Sequence, residues 1–156
     1  MTPAQKELLD EFQSFAVTAG KAEPLMERIS KRLHETFARY NWVGFYFVDP
    51  ADAGYLIIGP YAGSFSPNAR LSLNTGLCGA AASSSQVVVV QDVSSDPRYL
   101  AGSPMVKSEI VVPIFRAKKL AAELDVESYF ADTFNATEQQ FIEACAELVE
   151  NQLAKG

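Results

Sequence analysis

Acidic residues alternate with apolar ones along one segment of the sequence, in a pattern that could bind a positive charge. Glu123, Asp125 and Glu127 occupy every second position of KLAAELDVES, residues 119–128. Such alternation is typical of a β-strand, in which every second side chain points to the same face of the sheet. A further carboxylate, Glu109, lies near the start of a second strand-like segment, SEIVVPIF. Carboxylates that share one face of a sheet are suited to binding the ammonium group of a small amine.

A third strand-like segment, WVGFYFV at residues 42–48, adds aromatic rings to this pattern. One of its faces is apolar and would pack against helices, whereas the other carries Trp42, Gly44 and Tyr46. Aromatic faces attract cations, so rings beside carboxylates predict a pocket for a cationic amine. The pattern leaves one alternative open, that this face is simply exposed to water, as one face of many antiparallel sheets is.

The sequence has two cysteines, Cys78 and Cys145, whose spacing matches neither metal-binding nor redox motifs. The single histidine, His34, leaves no combination for a Cys/His zinc site. We therefore predict no metal site and no cofactor. The simplest interpretation of Cys145 is a small core residue of a helix. Cys78 lies at the start of the predicted short helix GLCGAAASSS, a position that can lower the pKa of a thiol.

The elements that must position these residues are helices at both ends of the chain and strands between them. Thr2, Pro3 and Gln5 form a capping pattern that begins the first helix. A second capping box, at residues 137–140, is expected to begin the last helix. The predicted helices cover residues 3–19, 23–38 and 138–154, and the predicted strands cover 42–48, 54–61, 69–73, 86–93, 108–115 and 119–128. This order predicts a single α+β domain over residues 1–156, with a mainly antiparallel sheet.

Composition restricts the classes of partner. The chain has 156 residues, of which 48% are hydrophobic, and its formal net charge is −6. No cluster of Lys and Arg with interleaved aromatic residues is present, which argues against binding to nucleic acid or to an anionic membrane. We see neither a signal peptide nor an apolar stretch of about 20 residues that could span a membrane. The expected location is the cytoplasm.

Several motifs together resemble a known family. NWVGFYFV, LIIGPYAG, TGLCGAAA, VVQDVSSDPRYLAGSPMVKSEIVVPI and ELDVES occur in the order seen in GAF domains, and they extend from about residue 40 to 150. More narrowly, they resemble the free methionine-(R)-sulfoxide reductases, which are single GAF domains. The resemblance implies a GAF-like (PAS-like) fold, with a six-stranded antiparallel sheet that has helices on one face and a loop-covered ligand pocket on the other.

The resemblance also implies which residues bind the ligand. The family uses a Trp and a Tyr from the first strand, a Glu from the SEIV motif and two acids from the LD-x-D motif. The matching positions are Trp42, Tyr46, Glu109, Asp125 and Glu127. Glu127 departs from the family pattern, because it replaces an Asp. All five positions retain the chemistry that would hold the ammonium group and the thioether-like side chain of an amino acid.

The catalytic part of the family pattern is incomplete. The family's nucleophile is a cysteine in the loop before the SEIV motif, and an alignment without gaps from Asp92 to Glu109 places Gly102 there. A second family cysteine falls near Pro67 or Asn68, and only the cysteine at position 78 is retained. Since glycine has no side chain, the resemblance implies that the family's mechanism cannot operate.

We therefore expect a non-enzymatic, signalling-type GAF domain that senses a free amino acid-like compound. One alternative is a divergent L-methionine (R)-S-oxide reductase that uses Cys78 as its nucleophile. Another is an interaction module that forms a homodimer through its terminal helices. The expected partners are a small amino-bearing ligand and a second copy of the chain, and a signalling output would need a further protein.

Overall fold

A six-stranded antiparallel sheet forms the centre of the protein, as seen in a computed structural model that describes residues 1–100 and 103–156. The strands are β1 (Trp42–Val48), β2 (Tyr55–Gly63), β3 (Arg70–Ser72), β4 (Val88–Val90), β5 (Ser108–Arg116) and β6 (Lys119–Ser128). They lie in the order β3-β2-β1-β6-β5-β4. The two central strands, β1 and β6, therefore come from distant parts of the sequence, and the site residues of both are brought to the middle of the sheet.

Four helices surround the sheet. They are α1 (Pro3–Ala19), α2 (Ala22–Thr36), α3 (Gly76–Ser84) and α4 (Ala136–Lys155), and residues Val93–Ser95 form one 3₁₀ turn. The helices α1, α2 and α4 cover one face, whereas α3 and the loops cover the other. The predicted α+β class and six-stranded antiparallel sheet are confirmed. Among the helices described, none combines the length and the apolar character that crossing a membrane requires.

The ends of the predicted elements are close to those observed, although one predicted helix cap is wrong. The largest difference is at β4, which was predicted to end at residue 93 and ends at Val90. The capping box of α1 forms as predicted, since Thr2 Oγ1 accepts a hydrogen bond from the Gln5 amide at 3.2 Å. The predicted capping box of α4 was wrong. Asn135 is the N-cap, and its side chain accepts from the Glu138 amide at 3.0 Å, because an Asn two residues upstream caps as well as a Thr.

The strands sort their side chains between two separate apolar clusters. Towards α1, α2 and α4, the sheet presents Val43 and Phe45 of β1 and Leu124 and Val126 of β6, all fully buried. Towards α3, it presents Trp42 and Tyr46 together with the acidic residues. This division is the one that the alternation of apolar residues predicts, and it leaves the helix-facing core free of charge.

Two glycines make room for the indole ring of Trp42 on the second face. Gly44 follows Trp42 on the same face of β1, and Gly63 of β2 lies directly opposite Trp42 across the strand pair. A Cβ atom at Gly44 would lie 2.7 Å from Cβ of Tyr61 and 2.8 Å from Cζ3 of Trp42, and one at Gly63 would lie 2.8 Å from Cγ of Trp42. Real Cβ atoms do not approach other atoms so closely, so these positions must lack a side chain.

We expect Gly44→Ala to lower the free energy of unfolding by about 1–3 kcal/mol, the usual cost of overpacking a core. Gly54→Ala is the matched control, because a Cβ there would approach one side-chain atom, Oδ1 of Asp52, at 3.3 Å. Urea denaturation followed by tryptophan fluorescence measures both variants. Equal stability of the two variants would contradict the close packing of Gly44 against Trp42.

Candidate functional site

The register of the central strands brings the predicted site residues together. Pairs across β1 and β6 join the aromatic face of one strand to the acidic face of the other: Trp42 with Glu127, Gly44 with Asp125, and Tyr46 with Glu123. On the other side of β6, Glu109 of β5 lies opposite Glu127. Four acidic side chains and two aromatic rings therefore share one small area of the sheet.

A cavity lies above this area, between the sheet and the segments that cover it. Four of the predicted site residues line it: Tyr46, Glu109, Asp125 and Glu127. The other lining residues come from the loop between β2 and β3, from β3 itself, from the start of α3 and from the segment after β4: Phe65, Pro67, Asn68, Leu71, Thr75, Gly76, Leu77, Cys78 and Leu100. The hydroxyl of Tyr46 donates to the carbonyl oxygen of Asn68 at 3.2 Å, which ties the loop to the sheet.

The cavity is narrow. The space between its lining atoms, including the mouth that opens to solvent, is about 390 Å³. The centre of a water molecule can reach about 30 Å³ of this space. Two of the covering side chains, Phe65 and Leu100, remain partly exposed to solvent. A ligand larger than a few waters therefore requires these side chains to shift.

The fifth predicted site residue, Trp42, lies one layer further from the cavity. Its side chain is fully buried and does not line the cavity. Its ring stacks on Tyr46 at 6.1 Å between centroids and on Phe65 at 6.0 Å, and both of these residues do line the cavity. Its indole Nε1 has no hydrogen-bond partner among the described residues. Direct contact between Trp42 and a ligand stays a prediction, and it requires Phe65 to move.

Gly102, the position that the resemblance assigns to the family's nucleophile, lies outside the described residues. Pro67 and Asn68, where the resemblance places a second family cysteine, line the cavity without a thiol. Of the two cysteines in the sequence, Cys78 lines the cavity, whereas Cys145 is buried in the core between α4 and the sheet.

The acidic residues of the site are buried without a counter-ion. Glu109, Asp125 and Glu127 are each at most 6% exposed, and none of the described lining residues is Lys, Arg or His. Burial raises the pKa of all three carboxyl groups well above its usual range, and their mutual repulsion raises these pKa values further. Oδ1 of Asp125 has no hydrogen-bond partner among the described residues. The site therefore lacks positive charge.

Glu123 is a fourth member of this acidic group, and it is not among the ligand-binding residues that the family resemblance implies. Its side chain is fully buried, and neither carboxyl oxygen has a hydrogen-bond partner among the described residues. Burial raises its pKa well above the usual range, and the nearby Cys78 thiol opposes that rise. The alternation in β6 placed Glu123 on the correct face, so the signal was present, but the family motif includes only the two acids that follow it.

The environment of Cys78 acts on the pKa of its thiol in two opposite directions. The thiol lies in the first turn of α3, a position that favours the thiolate. Burial nevertheless raises its pKa well above the usual range, and repulsion from Asp125 and Glu123 adds to the effect. The sulfur of Cys78 and one oxygen each of Glu109 and Asp125 lie within 4.8 Å of one another, so these three residues are the candidate ligands for a metal ion.

We expect Glu123→Gln to raise the free energy of unfolding by about 1–3 kcal/mol at pH 8, because it removes a buried carboxylate beside which only the neutral Cys78 thiol offers a hydrogen bond. The pKa of Glu123 is raised in the folded state, so the folded chain binds more protons than the unfolded chain once the pH exceeds the unfolded pKa. Its contribution to stability is therefore lost as the pH rises, and the advantage of the variant should be small at pH 5 and larger at pH 8.

Urea denaturation at both pH values measures this difference. The exposed Glu143→Gln on α4 is the matched control, because it removes an acid from the surface and not from the site. The decisive quantity is the difference in free energy of unfolding between Glu123→Gln and the unchanged chain. If this difference is no larger at pH 8 than at pH 5, Glu123 is not a buried, uncompensated acid.

Comparison with known proteins identifies the family. Residues 22–153 match the sequence profile of the GAF domain family. Protein YtsP of Bacillus subtilis is 32% identical over 126 residues, which cover 81% of this chain and 76% of that protein. The free methionine-R-sulfoxide reductase of Saccharomyces cerevisiae is 33% identical over 110 residues, which cover 70% of this chain and 61% of that protein.

The fold agrees with these relatives. The crystal structure of free methionine-R-sulfoxide reductase from Neisseria meningitidis, in complex with its substrate, superposes with a TM-score of 0.90 and 28% identity. The superposition covers 97% of this chain and 89% of that one. The family predicted from the sequence is thus confirmed by profile, sequence and fold. The chain belongs to the GAF domain family and is homologous to the free methionine-R-sulfoxide reductases.

Proposed function

We propose that this GAF domain binds the ammonium group of a free amino acid-like compound in the cavity and does not reduce the compound. The observation that carries the proposal is the group of buried acids at Glu109, Asp125 and Glu127, for which the described lining offers no positive charge. Buried charges need a partner of opposite sign, and an ammonium group supplies one charge and three hydrogen-bond donors. The substrate-bound structure of the Neisseria relative supports a small-molecule ligand of this class.

The arrangement suits an amine in two ways. The three carboxyl groups come from the adjacent strands β5 and β6, so their positions are fixed by the sheet rather than by a loop. Tyr46 and Phe65 add aromatic rings beside the carboxyl groups, where they can pack against the apolar part of a ligand. The partly exposed Phe65 and Leu100 would move to admit it, since the narrow cavity is too small.

The sequence at position 102 and the state of Cys78 support binding without reduction. Position 102 is glycine, which cannot attack a sulfoxide. Burial and the neighbouring acids both raise the pKa of the one thiol that lines the cavity, which favours its protonated form. A protonated thiol is a poor nucleophile.

We expect L-methionine or its sulfoxide, at millimolar concentration in buffer with a metal chelator, to raise the melting temperature. A ligand at 100 times its Kd stabilises the folded state by about 2.7 kcal/mol, which corresponds to roughly 5–10 °C for a domain of this size. The matched ligand without an amino group, 4-(methylthio)butanoate, should give no increase. Asp125→Asn should lose the response, and the exposed control Glu143→Gln should keep it.

Scanning calorimetry measures each combination of ligand and variant. The amine proposal is wrong if no amino-bearing compound stabilises the unchanged chain, or if the compound without the amino group stabilises it equally.

The second candidate function is the reductase that uses Cys78, and it is favoured by the position of that thiol in the same cavity as the acids. In this reaction the sulfur of Cys78 attacks the sulfoxide sulfur and takes up its oxygen, which yields methionine and a cysteine sulfenic acid. An external dithiol then reduces the sulfenic acid to the thiol, with release of water and formation of a disulfide in the reductant. The step requires Cys78 to lose its proton first.

A coupled assay with thioredoxin, thioredoxin reductase and NADPH separates the two candidates. We expect no oxidation of NADPH above background when methionine (R)-sulfoxide is added. Turnover that Cys78→Ser abolishes and Cys145→Ala preserves would replace the binding proposal with the reductase. A homodimer formed through the terminal helices and a signalling role remain predictions, on which neither candidate depends.

A further inference from the structure

We propose that the cavity also takes a thiophilic divalent metal ion such as Zn²⁺, held by the thiolate of Cys78 and the carboxylates of Glu109 and Asp125. This inference goes beyond the amine-binding function, although it uses two of the same carboxylates. The sequence predicts no metal site, because its two Cys and one His do not form a ligand motif of short spacing. Residues 78, 109 and 125 are far apart in the sequence, and the fold brings them together.

The three donors converge from three elements. Cys78 is on α3, Glu109 on β5 and Asp125 on β6, and their donor atoms lie within 4.8 Å of one another. Zn–S and Zn–O bonds of about 2.3 and 2.1 Å, at a tetrahedral angle, place sulfur and oxygen about 3.6 Å apart. The donor atoms must therefore move by about 1 Å to coordinate an ion, and rotation of their side chains allows this movement.

Unpartnered atoms at the site indicate that it is built for a cation. Asp125 is 2% exposed and lines the cavity, and its Oδ1 has no hydrogen-bond partner among the described residues. Glu123, whose carboxyl group interacts with the Cys78 thiol, is also fully buried and adds a further acid beside the three donors. Buried polar atoms without partners cost free energy, which a bound ion would recover. The acids also favour a positive charge beside Cys78.

The donor types select the class of metal. One thiolate and two carboxylates are suited to zinc and similar borderline-soft ions, whereas Mg²⁺ and Ca²⁺ prefer oxygen ligands alone. An ammonium group gains little from a sulfur neighbour, so the thiol distinguishes the metal from the amine. Three protein ligands leave one tetrahedral position for water or for a small molecule. Binding releases the thiol proton to solvent.

The experiment uses the full chain, reduced with a phosphine and stripped of metals with a chelator that is then removed. Calorimetric titration with Zn²⁺ should show one ion per chain, and titration with Co²⁺ should produce the thiolate-to-cobalt charge-transfer band in the near ultraviolet. Cys78→Ser should abolish the band and weaken Zn²⁺ binding at least tenfold. Cys145→Ala is the matched control and should keep both, because Cys145 is buried in the other core.

Asp125→Asn, which retains the thiol, should also weaken Zn²⁺ binding at least tenfold, and it serves as the second variant if Cys78→Ser fails to fold. Zn²⁺ binding that is absent, or that neither substitution weakens, overturns the proposal. Metal binding is measured without amine and amine binding with a chelator present, so each proposal can fail alone. Where both bind, addition of L-methionine should lower the apparent affinity for Zn²⁺, because both ligands need Glu109 and Asp125.

Discussion

The pairing of β1 with β6 is the constraint on which the rest of the structure depends. It aligns Trp42, Gly44 and Tyr46 with Glu127, Asp125 and Glu123, and the alternating residues of the same strands form the core against the helices. A shift of one residue would turn the acids towards α1, α2 and α4 and the apolar side chains towards the cavity. The hydrophobic pattern thus fixes the site and the core in one step, and neither could change without the other.

The buried acids of the site lower the stability that the pairing of β1 with β6 provides. Four acids are buried in one small area, where burial raises the pKa of each, and mutual repulsion adds to the rise for Glu109, Asp125 and Glu127. An apolar side chain at any of these positions would avoid that cost. Such groups persist when binding or chemistry requires them. Among the described residues, the core that faces α1, α2 and α4 is apolar, and its burial offsets the free-energy cost of the acids on the other face.

The sequence predicted most of the fold because the pattern of apolar residues along each strand is local information. Val43 and Phe45 were assigned to one face and Trp42 and Tyr46 to the other, as observed. Two features depend on distant contacts, which local patterns do not show: Phe65 stacks on Trp42, and Cys78 meets the acids of β5 and β6 only after α3 folds over the sheet. The cap of α4 is local, but Asn135 and Thr137 are both good N-cap residues, and the pattern does not choose between them.

The chemistry of the cavity follows from the coupling between its charges and its one thiol. The acids that make the cavity attractive to a cation are also the groups that raise the pKa of Cys78, after burial itself. A cation bound among Glu109 and Asp125 would cancel part of that repulsion and so lower the pKa of the thiol. Cation binding and thiol reactivity are therefore linked at this site. Burial is the larger cause and acts whether or not the cavity is occupied, so an amine among the acids would lower the pKa of Cys78 only in part.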